Sequence, residues 1–120
     1  MLQVTAVALL SEAKILAHPA SVDNVPTDGG KEDHVSMGMT AATKLRSIVD
    51  IAEAATAIEL ITAAEALEYR APLVPGRGVK LAFEIVRAHV PRLMADRSMS
   101  SDIQLIVETI RQGEFDALLG

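Results

Sequence analysis

From Met39 to Tyr69 the chain runs without a single proline or glycine. That is the longest segment in the sequence able to carry one unbroken helix. Thr40 stands where an N-cap would be, Arg70 suits a final turn, and Pro72 forbids much continuation. About 30 residues at roughly 1.5 Å each make a rod of about 45 Å. A globule of this length has an expected radius of gyration of only about 13–14 Å. The rod should therefore project beyond its own domain and need partners for its apolar surface.

Projected at the helical period, Arg46, Asp50, Glu53 and Glu68 share one face. Leu45, Ile48, Ile51, Ala52, Ala55, Ile58 and Ala66 fall opposite. Glu59 lies in the middle of that apolar arc. It is either a wetted side chain or a buried carboxylate held by an arginine or backbone donors, because an unpaired buried charge is too costly.

The flanking segments follow the same pattern. Met1–Leu16 reads as a helix with almost no polar face, which predicts burial on all sides. Val4, Val7, Ala8 and Leu10 form one possible core stripe, while Leu2, Ala6, Leu9, Ala13 and Ile15 are apolar as well. No capping residue precedes this helix, as expected of a helix that something normally leads into. Residues 70–78 are a turn-rich connector. Val79–Val90 is amphipathic, with Val79, Ala82, Phe83, Val86 and Val90 inward, and it stops at Pro91. Ser101 and Gln104 form a capping-box signature before Ile103, Ile106, Val107 and Ile110, and Gly113 closes that helix. A last short turn is expected at 114–119.

No segment shows a strand pattern. With 120 residues, half of them apolar and only Tyr69, Phe83 and Phe115 aromatic, the core must be built from Ala, Leu, Ile and Val. The expectation is one all-α domain, a bundle of long helices. A net charge of −5 without a basic run argues against nucleic-acid or anionic-lipid partners. The absence of cysteine excludes disulfides, a thiolate nucleophile and Cys-ligated metals. No secretory signal or membrane span is legible, so a cytoplasmic location is expected.

Chemistry concentrates in residues 17–38, AHPASVDNVPTDGGKEDHVSMG, a loop long enough to be uncommon unless it carries function. His18, Asp23, Asp28, Glu32, Asp33 and His34 gather there. Their spacing matches no zinc pattern, so no metal site is expected. Ser36 beside His34 lacks the glycine-framed turn of a nucleophile. His18 and the trio Asp33, His34 and Ser36 are expected to hold the loop together or cap the next helix, and His89 reads as a helix-end histidine. Glu32 is either a solvated loop carboxylate or the functional residue. Gly29 and Gly30 let backbone approach closely, and a carboxylate on such a loop can take a proton or orient a substrate cation.

The runs AHPASVDNVPT and EDHVSMG resemble the corresponding loop of histidine ammonia-lyase, in the family of lyases with a methylidene-imidazolone electrophile. QVTAVALLSEAK, AIELITAAEALEYR and AHVPRLMADR extend the likeness over most of the chain. The resemblance implies the C-terminal part of a helical homotetramer that converts L-histidine to trans-urocanate and ammonia without external cofactor, at sites shared between subunits. It implies that Glu32 lines the site as a catalytic and substrate-binding residue, where relatives acting on phenylalanine or tyrosine carry an amide. Three positions depart from the pattern: Lys31 where the family has Gln, a Gly in the preceding pair, and Ala13 where Asn is usual. The electrophile-forming Ala-Ser-Gly does not occur in this sequence. One carboxylate cannot replace it, so the isolated chain is expected to be inactive and to need the N-terminal remainder of such an enzyme. The alternative is a non-catalytic helical module that self-associates as a dimer or tetramer through residues 1–16 and 39–69.

Overall fold

The computed structural model of the chain describes residues 1–32 and 34–118. Four α-helices follow in order: α1 (Leu2–Leu16), α2 (Gly38–Glu68), α3 (Arg77–His89) and α4 (Ser100–Arg111). Short 3-10 turns form at Asp28–Gly30 and Asp116–Leu118. The described residues contain no strand, and the fold is all-α. Leu119 of the expected last turn lies outside the described residues.

With 31 residues, α2 is about 46 Å long. The molecule measures 71 × 34 × 20 Å and its radius of gyration is 19.9 Å, well above the compact value. The expected projecting rod is thus present. Its helix begins two residues before Thr40, with Met37 as the N-cap residue, so Thr40 caps nothing. The Ser101–Gln104 capping box is likewise not formed: α4 starts at Ser100 behind Met99, with no side-chain cap bond. Gly113 does close α4, at φ +76°, a conformation that favours glycine.

The core lies at the C-terminal half of α2. Ala57, Ile61 and Ala64 pack there with Val86 and Val90 of the α3 region and Ile106 of α4. Phe83, Ile103, Val107, Ile110 and Phe115 close around them. This corrects the face read from sequence. Of the arc drawn through Leu45 to Ala66, only Ile51 and Ile58 are buried, while Ala52 and Ala66 are exposed. α2 is apolar on more than one side, so a single stripe is not uniquely legible there.

The acidic face decides which side is covered. Asp50 and Glu53 flank the packed arc at one end and receive Arg111 from the end of α4, at 2.6 Å from Oδ1 and 2.8 Å from Oε2. Glu65 and Glu68 flank it at the other and receive Arg87 from α3, at 2.9 and 3.0 Å. The Arg87 guanidinium also lies 5.6 Å from the Phe83 ring centre. Glu65 further accepts the Leu93 N–H at 3.2 Å, tying the segment after α3 back to α2. Burial works to raise the Glu65 carboxyl. The Leu93 N–H and the hydrogen bond and charge of Arg87, with the charge of Arg92, outweigh it and leave its pKa lowered. Asp102, buried in the first turn of α4, is held by Arg97. His89, the last residue of α3, meets Glu114 at 3.0 Å.

α1 runs antiparallel to α2, with Leu2 near the core and the chain after Leu16 beside Lys44, whose ammonium donates to the His18 carbonyl. Leu2, Ala6, Leu9, Ala13 and Leu16 turn toward α2 and are half-buried. None of the α1 residues is fully buried, contrary to the burial on all sides that its composition predicts. Val4 and Val7 stay 69% and 60% exposed. One neighbouring helix can cover only one of the two apolar faces.

Candidate functional site

The loop between α1 and α2 is pinned at several points. After α1 closes, the His18 carbonyl accepts from Lys44. Asn24 Oδ1 accepts the Val35 N–H at 3.1 Å, bringing the two arms together. Further out, Thr27 and Glu32 form an isolated antiparallel bridge, with Thr27 N–H to Glu32 C=O at 3.2 Å and the reciprocal bond at 3.4 Å. Where the loop enters α2, Ser36 Oγ accepts the Gly38 N–H at 3.2 Å. This is a local bond across two residues, and the N-cap position of α2 itself, Met37, has no side-chain cap bond.

The turn between Thr27 and Glu32 explains the glycine pair. Asp28, Gly29 and Gly30 all have positive φ, at 53°, 64° and 84°. Aspartate tolerates the left-handed region and glycine occupies it freely. Beyond the chain neighbours, no atom of the described residues lies within 4 Å of where a Cβ would sit on either glycine. The pair is needed for the backbone conformation of this turn.

This turn delivers Glu32 to the surface. Its Oε2 accepts the Thr27 hydroxyl at 2.8 Å, and the side chain is exposed. The carboxylate is therefore oriented by one neutral donor and open to solvent. Thr27 is a partner of Glu32 that sequence reading misses. The signal available was the turn itself, which obliges residues five apart to face each other across two glycines.

The other expected loop residues are not drawn into a constellation with Glu32. His18 and His34 are exposed, and His18 contributes its carbonyl instead of its ring. Asp33 lies outside the described residues. No group of three or more His, Cys, Asp or Glu able to hold a metal occurs among the described residues.

Glu59 departs from the buried, hydrogen-bonded reading. It is exposed, and no hydrogen bond or ion pair reaches its carboxylate among the described residues. The physical reason is the rotated core face of α2, which leaves Glu59 on a broad open trough of 1440 Å³. α1 forms one wall of the trough, residues 52–66 of α2 form its floor, and residues 93–103 form the far wall. Glu32 is not part of that lining. No helix among the described residues is long and apolar enough to cross a membrane.

Residues 1–88 match the family described as aromatic amino acid lyase. The chain belongs to the aromatic amino acid lyase family. It is 49% identical over 112 residues to the histidine ammonia-lyase of Myxococcus xanthus, covering 93% of this chain and 22% of that protein. Among solved structures, the histidine ammonia-lyase from Trypanosoma cruzi superimposes with a TM-score of 0.89 at 35% identity, over 95% of this chain and 23% of the other. The tyrosine aminomutase from Streptomyces globisporus gives 0.83 at 34%, over 94% and 22%. The chain thus spans about 22% of the length of the curated relatives it matches. Its helical arrangement is that of the ammonia-lyase fold.

Proposed function

We propose that this lyase chain is the C-terminal segment of a histidine ammonia-lyase, which eliminates ammonia from L-histidine to give trans-urocanate, and that Glu32 is its contribution to the active site. The observation carrying this reading is the 49% identity over 112 residues with a histidine ammonia-lyase. The solved structures do not separate substrate classes, since the ammonia-lyase and the aminomutase lie at 35% and 34% identity. Glu32 supports histidine as substrate, because a carboxylate pairs with a cationic or N–H-bearing imidazole where an amide would only hydrogen-bond.

The family's methylidene-imidazolone supplies an electrophile that activates the amino group as a leaving group. No Ala-Ser-Gly run in this sequence can form it, so the residues here do not include its source. What this chain supplies is a carboxylate oriented by Thr27 and free to take a proton or hold the substrate ring. Alone, it has no means of stabilising the departing amine, and it is proposed to be inactive until joined by the remaining polypeptide. Cytoplasmic location and assembly into a dimer or tetramer through α1 and α2 belong to the same reading.

The test is to follow urocanate by ultraviolet absorbance after adding L-histidine. The chain alone should give none. Co-expression with the non-matching portion of the Myxococcus xanthus enzyme should restore turnover, and Glu32→Gln should remove most of it. Turnover by the isolated chain contradicts the proposal.

A further inference from the structure

The trough beside α1 has a composition that specifies an occupant. Its floor exposes Ala52, Ala63 and Ala66 together with Thr62, small residues that let another helix come to about 8 Å between axes. In the middle of that floor stands Glu59, with no partner among the described residues. The far wall brings a second exposed carboxylate, Asp96. The one guanidinium in the lining, Arg97, is already held by Asp102 and by the Pro91 carbonyl. The trough is therefore apolar, floored by small residues and acidic at its centre. Closing it with an apolar surface would strand Glu59 as a buried unpaired charge.

We propose that the trough seats one amphipathic helix of the polypeptide that completes the enzyme, with an aliphatic face and a Lys or Arg set opposite Glu59. The inference rests on the reading of this chain as part of a larger lyase. The relatives place most of their length outside the matched region, since this chain covers 22% of them, so polypeptide is available to fill it. Floor residues Ala52 to Ala66 span about 21 Å, which calls for an occupant of about four turns. The positive charge follows from complementarity with Glu59 and Asp96.

The test uses the full 120-residue chain and two synthetic 18-residue amphipathic helices. Both carry leucine at the apolar positions, with either Lys or Glu at the centre of that face. Fluorescence anisotropy should show the Lys peptide binding about tenfold or more tightly than the Glu peptide, the size of effect expected for a charge pair desolvated on docking. Glu59→Gln should abolish the preference and Glu59→Lys should reverse it. Ala63→Trp should block both peptides while leaving the helical circular dichroism unchanged. Equal binding, no binding, or a preference indifferent to Glu59 overturns the proposal. So does sedimentation showing that the wild-type chain is a dimer which Ala63→Trp dissociates, because the occupant would then be a second copy. None of these readouts involves urocanate, so a failed peptide preference leaves the lyase reading standing, and a failed lyase assay leaves the peptide result standing.

Discussion

The two halves of α2 differ in what surrounds them. Its C-terminal half is covered by α3 and α4, buries Ala57, Ile61 and Ala64, and is closed at its edges by Arg87 on Glu65 and Glu68. Its N-terminal half, with α1 and the Glu32 loop, leaves Met39 81%, Leu45 60% and Val49 47% exposed. The same helix thus carries a packed core face beside the open trough at one end, and an uncovered apolar surface at the other. Stability should reside in the packed face of the first region, and the capacity to join other polypeptide in the open faces: the second region and the trough over residues 52–66.

Core truncation should break this contrast most visibly. Ile106, fully buried, should cost about 2–5 kcal/mol on replacement by alanine, whereas Leu45→Ala should stay within about 0.5 kcal/mol. Urea denaturation followed by circular dichroism measures both. Equal losses would show that the uncovered half contributes as much as the packed half.

Arg87→Ala comes next, at about 3 kcal/mol, because it leaves part-buried Glu68 without its cation and Glu65 with only Arg92, at 3.8 Å. Acid should weaken the same end of the molecule. The folded-state pKa of Glu65 is lowered, so its stabilising contribution is complete above the ordinary carboxylate range. That contribution is lost as pH falls from about 4.5 through the lower folded value. Glu65→Gln should flatten the acid limb of a stability–pH curve, and an unchanged limb would assign acid sensitivity elsewhere.

The smallest effect should come from the loop. Gly29→Ala places a side chain at φ +64° and should cost about 1 kcal/mol locally. The expected reading is faster amide exchange at Thr27 and Glu32 with no change in the core.

Much of this arrangement is legible in the sequence because prolines, glycines and helical periodicity are local signals. The expected helices at 1–16, 39–69 and 79–90 fall within two residues of α1, α2 and α3. Which faces pack is not legible where a helix is apolar all round. For that reason α1 turned Leu2, Ala6 and Leu9 inward and left Val4 and Val7 out, and Glu59 went to an open trough instead of the core. The acidic row Asp50, Glu53 and Glu68, placed opposite the apolar arc by the helical period, instead flanks the packed face because arginines on α3 and α4 pair with it. Glu32 stood out by its loop, but its Thr27 partner required the left-handed turn to be seen.

The most direct test of the central claim is a chimera of the Myxococcus xanthus histidine ammonia-lyase in which this chain replaces the 112 matched residues. The chimera should form urocanate from L-histidine, more rapidly with Lys31→Gln, and Glu32→Gln within it should lower turnover about a hundredfold or more while leaving the protein folded. A folded chimera whose turnover is indifferent to Glu32→Gln would contradict the account.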